Sequence, residues 1–188
     1  MWLAGSIDIN AADKAARFIR FCDLFNVPLV TFVDSPGCMI GSEQDWNGIL
    51  RHCAKMFYAW ADATVPLISI VVRKSYAGAN YGMLNKAIGA DFTFAWPGAS
   101  ITVVGAETAG SVIFAREIRE SANPTETRAQ RLKEYEEIYE NPYRAAERGY
   151  IDDIIMPEET RKYINRALDV LVNKTVSRPS RKYSNINL

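Results

Sequence analysis

A chain of 188 residues, 48% of them hydrophobic, is long enough for one domain with a sizeable core. Its 22 basic and 22 acidic residues cancel to zero net charge, which argues against a nucleic-acid or anionic-membrane partner recruited by bulk charge. No apolar run reaches the roughly 18–20 residues needed to span a bilayer, and MWLAGSIDIN gives way to charges without a secretory-signal pattern, so the cytoplasm is the expected compartment.

Met1 to Ile9 reads as the tail of a strand entering a helix directly, as if the chain began in mid-fold. Asn10 can cap that helix, where Ala12, Ala15, Ala16, Phe18, Ile19 and Cys22 follow the 3.6-residue period. A buried strand, VPLVTFVDS (27–35), follows, then the loop PGCMIGSEQD and a helix expected from about Asp45 to Ala63. VPLISIVVR (65–73) nearly repeats the first strand. Two buried strands joined by a helix make a βαβ unit with parallel strands. Ligands in such sheets bind at the carboxyl ends of the strands, here the loop after Val33 and the corner KSYAGAN after Arg73.

Beyond that corner, GMLNKAIGA predicts a helix, and DFTFAWP (91–97) and SITVVG (100–105) predict two short strands split by a Pro-Gly turn. A small-residue helix is expected from near Glu107 toward Arg119. Asn123, Pro124 and Glu126 form a helix start opening the charged stretch RAQRLKEYEEIYE. Leu132, Tyr135 and Tyr139 mark the side of it that packs. A last helix, Glu158 to Val172, precedes the polar tail SRPSRKYSNINL.

Side chains with obvious chemistry are few. Cys22, Cys38 and Cys53 are odd in number and lack C-x-x-C spacing, which favours small hydrophobes in a reducing compartment over disulfides or a metal site. His52, the sole histidine, lies mid-helix with no Ser or Asp set around it as a triad, and a structural role is favoured. Asp34 fits either a catalytic carboxylate or an anchor for loop amides. Glu43 and Asp45 suit a helix start for dipole reasons alone. The corner is different: Ala77, Gly78, Ala79 and Gly82 carry almost no side chain, so a ligand can approach the backbone closely. The first N–H groups of a helix have no intrahelical partner, and two of them can serve as an oxyanion hole. Close helix–strand packing would select the same small residues. Neither G-x-x-x-x-G-K-[ST] nor G-x-G-x-x-G is present, so phosphate-loop and dinucleotide readings fail.

The run from KAARFIRFCDLF through VPLVTFVDSPGCMIGSEQDWNGILRHCAKM to VRKSYAGANYGM resembles the C-terminal half of the carboxyltransferase β-subunit of biotin-dependent acyl-CoA carboxylases and related decarboxylases. GADFTFAWPGASITVVGAETAG and NPYRAAERGYIDDII extend the resemblance over nearly the whole chain. It implies an α/β crotonase/ClpP-like spiral of ββα units, here lacking its N-terminal strands. Residues 1–188 would be the carboxybiotin-holding C-terminal domain, and a separate N-terminal domain would hold acyl-CoA. Biotin, once decarboxylated in the site, would take the α-proton of the thioester, and the enolate would attack CO₂. Gly78 and Ala79 match the pair whose N–H groups hold the ureido oxygen. Pro36, Gly37 and Gly41 match a P-G-F-x-x-G segment lining the same pocket, with Cys38 in place of Phe. Propionyl-type members carry an Asp after G-G-A-Y, where this sequence has Tyr81 after Asn80, closer to the methylcrotonyl-type G-A-G-N-Y-G-M. The implied partners are the N-terminal carboxyltransferase domain, a biotin carboxyl carrier protein, biotin carboxylase and further copies of the chain. No metal, nucleic acid or membrane insertion is implied. A decarboxylase half and an inactive remnant of the fold are the alternatives.

Overall fold

The computed structural model describes residues 2–179; Met1 and the part of the polar tail beyond Pro179 lie outside the described residues. The strand expected over Met1 to Ile9 shrinks to one parallel bridge between Ile7 and Cys38, preceded by a 3₁₀ turn at Trp2–Gly5. The first helix, α1 (Ile9–Leu24), is capped two residues earlier than the sequence suggested: the Asp8 carboxylate, not Asn10, accepts from the Ala11 N–H at 2.7 Å. Asp8 precedes the apolar stripe by the right interval, and its short carboxylate reaches the free amide.

Strand β1 (Leu29–Ser35) leads through the glycine loop to α2 (Ser42–Trp46) and α3 (Ile49–Asp62). The single helix expected over 45–63 is therefore two. Gly48, at φ +82°, turns the chain between them, a conformation that costs glycine nothing. Strand β2 runs from Leu67 to Tyr76, three residues past the expected end. The helix after it, α4 (Ala77–Gly82), is the AGANYG stretch itself; the predicted GMLNKAIGA helix is instead an irregular turn with one 3₁₀ step at Lys86–Ile88. Leu84 at φ +78° and Gly89 at φ +114° break helical continuity there.

The remaining elements are β3 (Phe92–Ala95), β4 (Ser100–Thr102), α5 (Ala106–Ile113), α6 (Ala115–Glu120), α7 (Pro124–Tyr139), α8 (Pro142–Glu147), β5 (Asp153–Ile154) and α9 (Thr160–Leu171). The helix expected from Glu107 to Arg119 is broken at Phe114. The α7 start is as read: the Asn123 side chain accepts from the Glu126 amide and Pro124 occupies the first turn. Helix α8 and strand β5 were not anticipated, being only six and two residues long.

All strand pairs are parallel, in the order β1-β2-β3-β5, with β4 paired to the far end of β2. Alternate residues of β2 serve opposite faces. Leu67 joins the core formed with α1 and α3, while Ile68 and Ile70 join Phe94, Ile155 and Ala167 under α9. Burial on both faces is what made this strand read as a continuous apolar run. Halfway along, β2 changes neighbour: Ile68 to Val71 pair with β3, whereas Lys74 to Tyr76 pair with β4.

The change is accompanied by a register shift against β1. Val33 pairs with Val71 but Ser35 with Ser75, so β2 carries extra residues at the position of Arg73 and Lys74. The side chain of Asp34 closes this irregularity. It takes a two-pronged hydrogen bond from the Arg73 guanidinium (2.9–3.1 Å) and one from the Lys74 amide at 3.3 Å.

Two buried side chains pin the turn after α4. Trp60 donates its indole N–H to the Gly82 carbonyl at 2.8 Å, and Ser69 its hydroxyl to the Leu84 carbonyl at 2.9 Å. Trp60 is 4% exposed and Ser69 fully buried, so an orphaned carbonyl there could not turn to water. Trp60→Phe is expected to lower the unfolding free energy by about 1–3 kcal/mol, measured by urea denaturation; a loss well below that range would mean Gly82 does not depend on the indole.

Candidate active site

The loop after β1 and the corner after β2 meet. A Cβ placed on Gly37 would lie 3.9 Å from the Ala77 methyl, and one placed on Gly78 would lie 3.6 Å from Cys38 Sγ. The loop keeps this approach because Gly37 and Gly41 adopt φ +138° and +140°, where a side chain would be strained. Its other edge is tied to the start of the chain, the Ile7 amide donating to Gly37 O and the Met39 amide to Ile7 O at 3.0 and 2.8 Å.

The corner turns sharply at Ala77, whose φ of +46° is unusual for a residue with a Cβ and stores roughly 1–2 kcal/mol of strain. The chain thereby passes from strand to helix within one residue, and Gly78 and Ala79 fall in the first turn of α4. Gly78 is half-buried, while the Ala79 methyl is fully buried in the core.

The other expected site residues are placed as follows. Pro36 lines a cleft of about 490 Å³ together with Lys74, Tyr76 and Ala77, and the far wall of the cleft is the start of α5. Gly78 and Ala79 are not in its lining. Gly41 precedes α2 and has open space where a Cβ would go. Asn80 turns back into its own element, accepting from the Asn85 side chain at 2.8 Å. Tyr81 is exposed.

Asp34 lies beside the corner as an anchor, since its carboxylate is engaged with Arg73 and Lys74. His52 pairs with Asp13 at 2.8 Å between α3 and α1, with Lys55 on the same carboxylate at 3.3 Å, a helix-to-helix contact rather than a catalytic one.

One group of site residues escaped the sequence. Glu140, at the end of α7, accepts from the Ser100 and Tyr76 hydroxyls at 2.9 and 3.0 Å and from the Ala106 amide at the start of α5. The Tyr76 and Ser100 hydroxyl oxygens lie 2.9 Å apart, so either can share its proton between the other and Glu140. Burial, reinforced by the Glu140 charge, pushes the Tyr76 phenol above its ordinary value, which keeps it a neutral donor. These residues are far apart in sequence, and no spacing rule links them. Only the tyrosine pattern of α7 hinted that this helix packs: Tyr135 donates to Val104 O at 3.2 Å, and Leu132 fills the space left by Gly110.

The parallel sheet thus brings two small-residue loops together at the carboxyl ends of neighbouring strands, the place where open α/β sheets bind ligands. The chain belongs to the carboxyl transferase domain family, which matches residues 2–186. It is 48% identical to the propionyl-CoA carboxylase beta chain of Saccharopolyspora erythraea over 100% of this chain and 35% of that one. It is 45% identical to the methylmalonyl-CoA decarboxylase subunit alpha of Propionigenium modestum, over 99% of this chain and 36% of the relative. The crystal structure of transcarboxylase 12S superposes with a TM-score of 0.93 at 48% identity, covering 97% of this chain and 35% of that one. The chain thus spans about a third of the length of these relatives. The fold is the crotonase-like one that the sequence implied.

Hydrogen bonds from Arg73 hold the Asp34 carboxyl below its usual 3.8, outweighing the opposing effect of burial, and the Lys74 amide adds to the shift. A group whose pKa is depressed by folding stabilises the fold fully above its unfolded pKa, and that contribution is lost as pH falls through the folded one. Asp34→Asn is therefore expected to lower the melting temperature at neutral pH, with the gap to wild type closing as pH drops below 3.8. Thermal melts across that range check it; a gap that stays constant would remove the ion pair as its cause.

Proposed function

We propose that this chain is the biotin-side half of a biotin-dependent acyl-CoA carboxyltransferase, working with an acyl-CoA-binding domain on another chain or segment. The observation that carries the reading is the contact between the two strand-end loops, Gly37 against Ala77 and Cys38 against Gly78. A flat ureido ring needs a slot with backbone donors and little side chain, and Gly37, Ala77 and Gly78 provide such a surface. Bound there, biotin would supply the carboxyl group and, once it has given up CO₂, the base.

The chain's own residues then have limited work. Gly78 and Ala79 direct N–H groups of the first turn toward the ureido oxygen and stabilise negative charge on it. Gly37 and Cys38 form the opposing wall, with Pro36 and Gly41 flanking them in the same loop. Asp34, Trp60 and Ser69 hold the corner so that its amides need not reorganise during reaction. The names of the relatives favour a short acyl-CoA of the propionyl or methylmalonyl class. Tyr81, where propionyl-type members carry Asp, marks the position at which acyl preference would differ. The partners would be the N-terminal carboxyltransferase domain, a biotin carboxyl carrier protein and biotin carboxylase. Self-association is supported by Phe18, Phe21, Leu24 and Phe25, all more than half exposed on and just after α1. A set of apolar side chains of this kind suits an interface better than solvent.

The test is reconstitution. Mixed with the N-terminal domain of a relative, biotinylated carrier and acyl-CoA, the chain is expected to support carboxyl transfer, and Gly78→Val to reduce it about 100-fold or more. Gly78→Ala serves as the folding control, because a methyl there makes only an ordinary 3.6 Å contact. Transfer unaffected by Val would remove the oxyanion role. In light scattering the chain is expected to be larger than a monomer, and a clean monomer would remove the interface on α1.

A further inference from the structure

Cys38, on the loop after β1, and Cys53, in α3, lie fifteen residues apart with their sulfurs 3.0 Å from each other. Both thiols are reduced. Each is held independently: Cys38 by the bridge between its loop and Ile7, Cys53 by the packing of α3 on α1. Their environments differ. Cys53 is 2% exposed, whereas Cys38 is half-buried. The hydrogen bond between them holds the Cys38 thiol below its ordinary pKa and pushes that of Cys53 up. The sulfur that an oxidant can reach is thus also the one that more readily bears the charge, the combination that makes a cysteine reactive.

We propose that Cys38 and Cys53 form a peroxide-reactive dithiol, with Cys38 as the attacking sulfur and Cys53 as the resolving one. The Cys38 thiolate attacks one oxygen of hydrogen peroxide or a small organic peroxide. The O–O bond breaks, and the departing oxygen takes a proton and leaves as water or an alcohol, giving a sulfenic acid. Cys53 then loses its proton and attacks the Cys38 sulfur; the S–O bond breaks and a second water leaves. Two thiols are oxidised to one disulfide, and the peroxide is reduced by the same two electrons. The sulfurs need close by only about 1 Å to reach bonding distance.

The position has a consequence for the corner. Cys38 Sγ is the nearest side-chain atom to the space above Gly78, so the disulfide would tether that wall to α3. Any effect on carboxyl transfer rests on the function proposed above; the thiol chemistry does not.

The test therefore reads thiols directly. The reduced protein is treated with a small excess of hydrogen peroxide, alkylated, digested and mapped by mass spectrometry. The three thiols are expected to fall to one, Cys22, with a linked peptide pair joining Cys38 to Cys53. Cys53→Ser is expected to leave a sulfenic acid on Cys38 that dimedone traps, and Cys22→Ser to leave the link intact. Should either variant fail to fold, the wild-type peptide map decides alone. Three surviving thiols, Cys38 over-oxidised with Cys53 free, or a link through Cys22 would each overturn the proposal.

Discussion

The architecture depends on β2 serving two neighbours in turn. Its first half is a buried central strand between β1 and β3; its last three residues leave β3 and pair with β4. A strand cannot shift register in this way without leaving an amide off the ladder, and an unpaired amide at a partly buried site is costly. Asp34 meets that cost by accepting from the Lys74 amide while its charge is neutralised by Arg73. The contribution of the exposed part of this ion pair to global stability is modest. Its structural effect is larger, because the direction in which β2 leaves the sheet sets where Ala77, Gly78 and Ala79 emerge.

From that exit the site follows with little further equipment. The chain turns at a strained Ala77 and enters a six-residue helix, too short to be stable alone. It is held by the scaffold at its far end, where Trp60 and Ser69 take the carbonyls of Gly82 and Leu84. The strain and the anchors belong together: a conformation of this kind persists only where its surroundings over-determine it. Backbone donors fixed in this manner can stabilise charge without rearranging, which would be the physical advantage of the oxyanion site proposed here over one made of flexible side chains. His52 and Asp34, two side chains with the chemistry of a base, are both engaged in holding elements together.

Around the corner, the cleft wall is supplied by a different device. Glu140 gathers Tyr76, Ser100 and the first amide of α5 into one polar cluster. Three elements, the end of β2, β4 and the start of α5, are thereby fixed by one carboxylate from the end of α7. The charged helix, whose sequence shows only that one side packs, is thus the brace of the cleft.

What the sequence determined by itself was local and periodic. The two VPL strands, their parallel pairing, the α7 start at Asn123 and the small-residue corner all arise from neighbouring residues, where side-chain periodicity and capping chemistry act over a few positions. The carboxyltransferase pattern lies in the same runs. The tertiary structure decided what depends on distant residues meeting. It extended β2 to Tyr76 because β4 was there to pair with it, and moved the helix onto AGANYG because a positive φ at Leu84 and Gly89 forbids one afterwards. It split the helices at Gly48 and Phe114. It also brought Cys38 to Cys53 and Glu140 to Tyr76, pairings no spacing rule encodes. Short-range energetics can be read along a chain; a hydrogen bond between residues 64 positions apart exists only once the intervening chain has folded back.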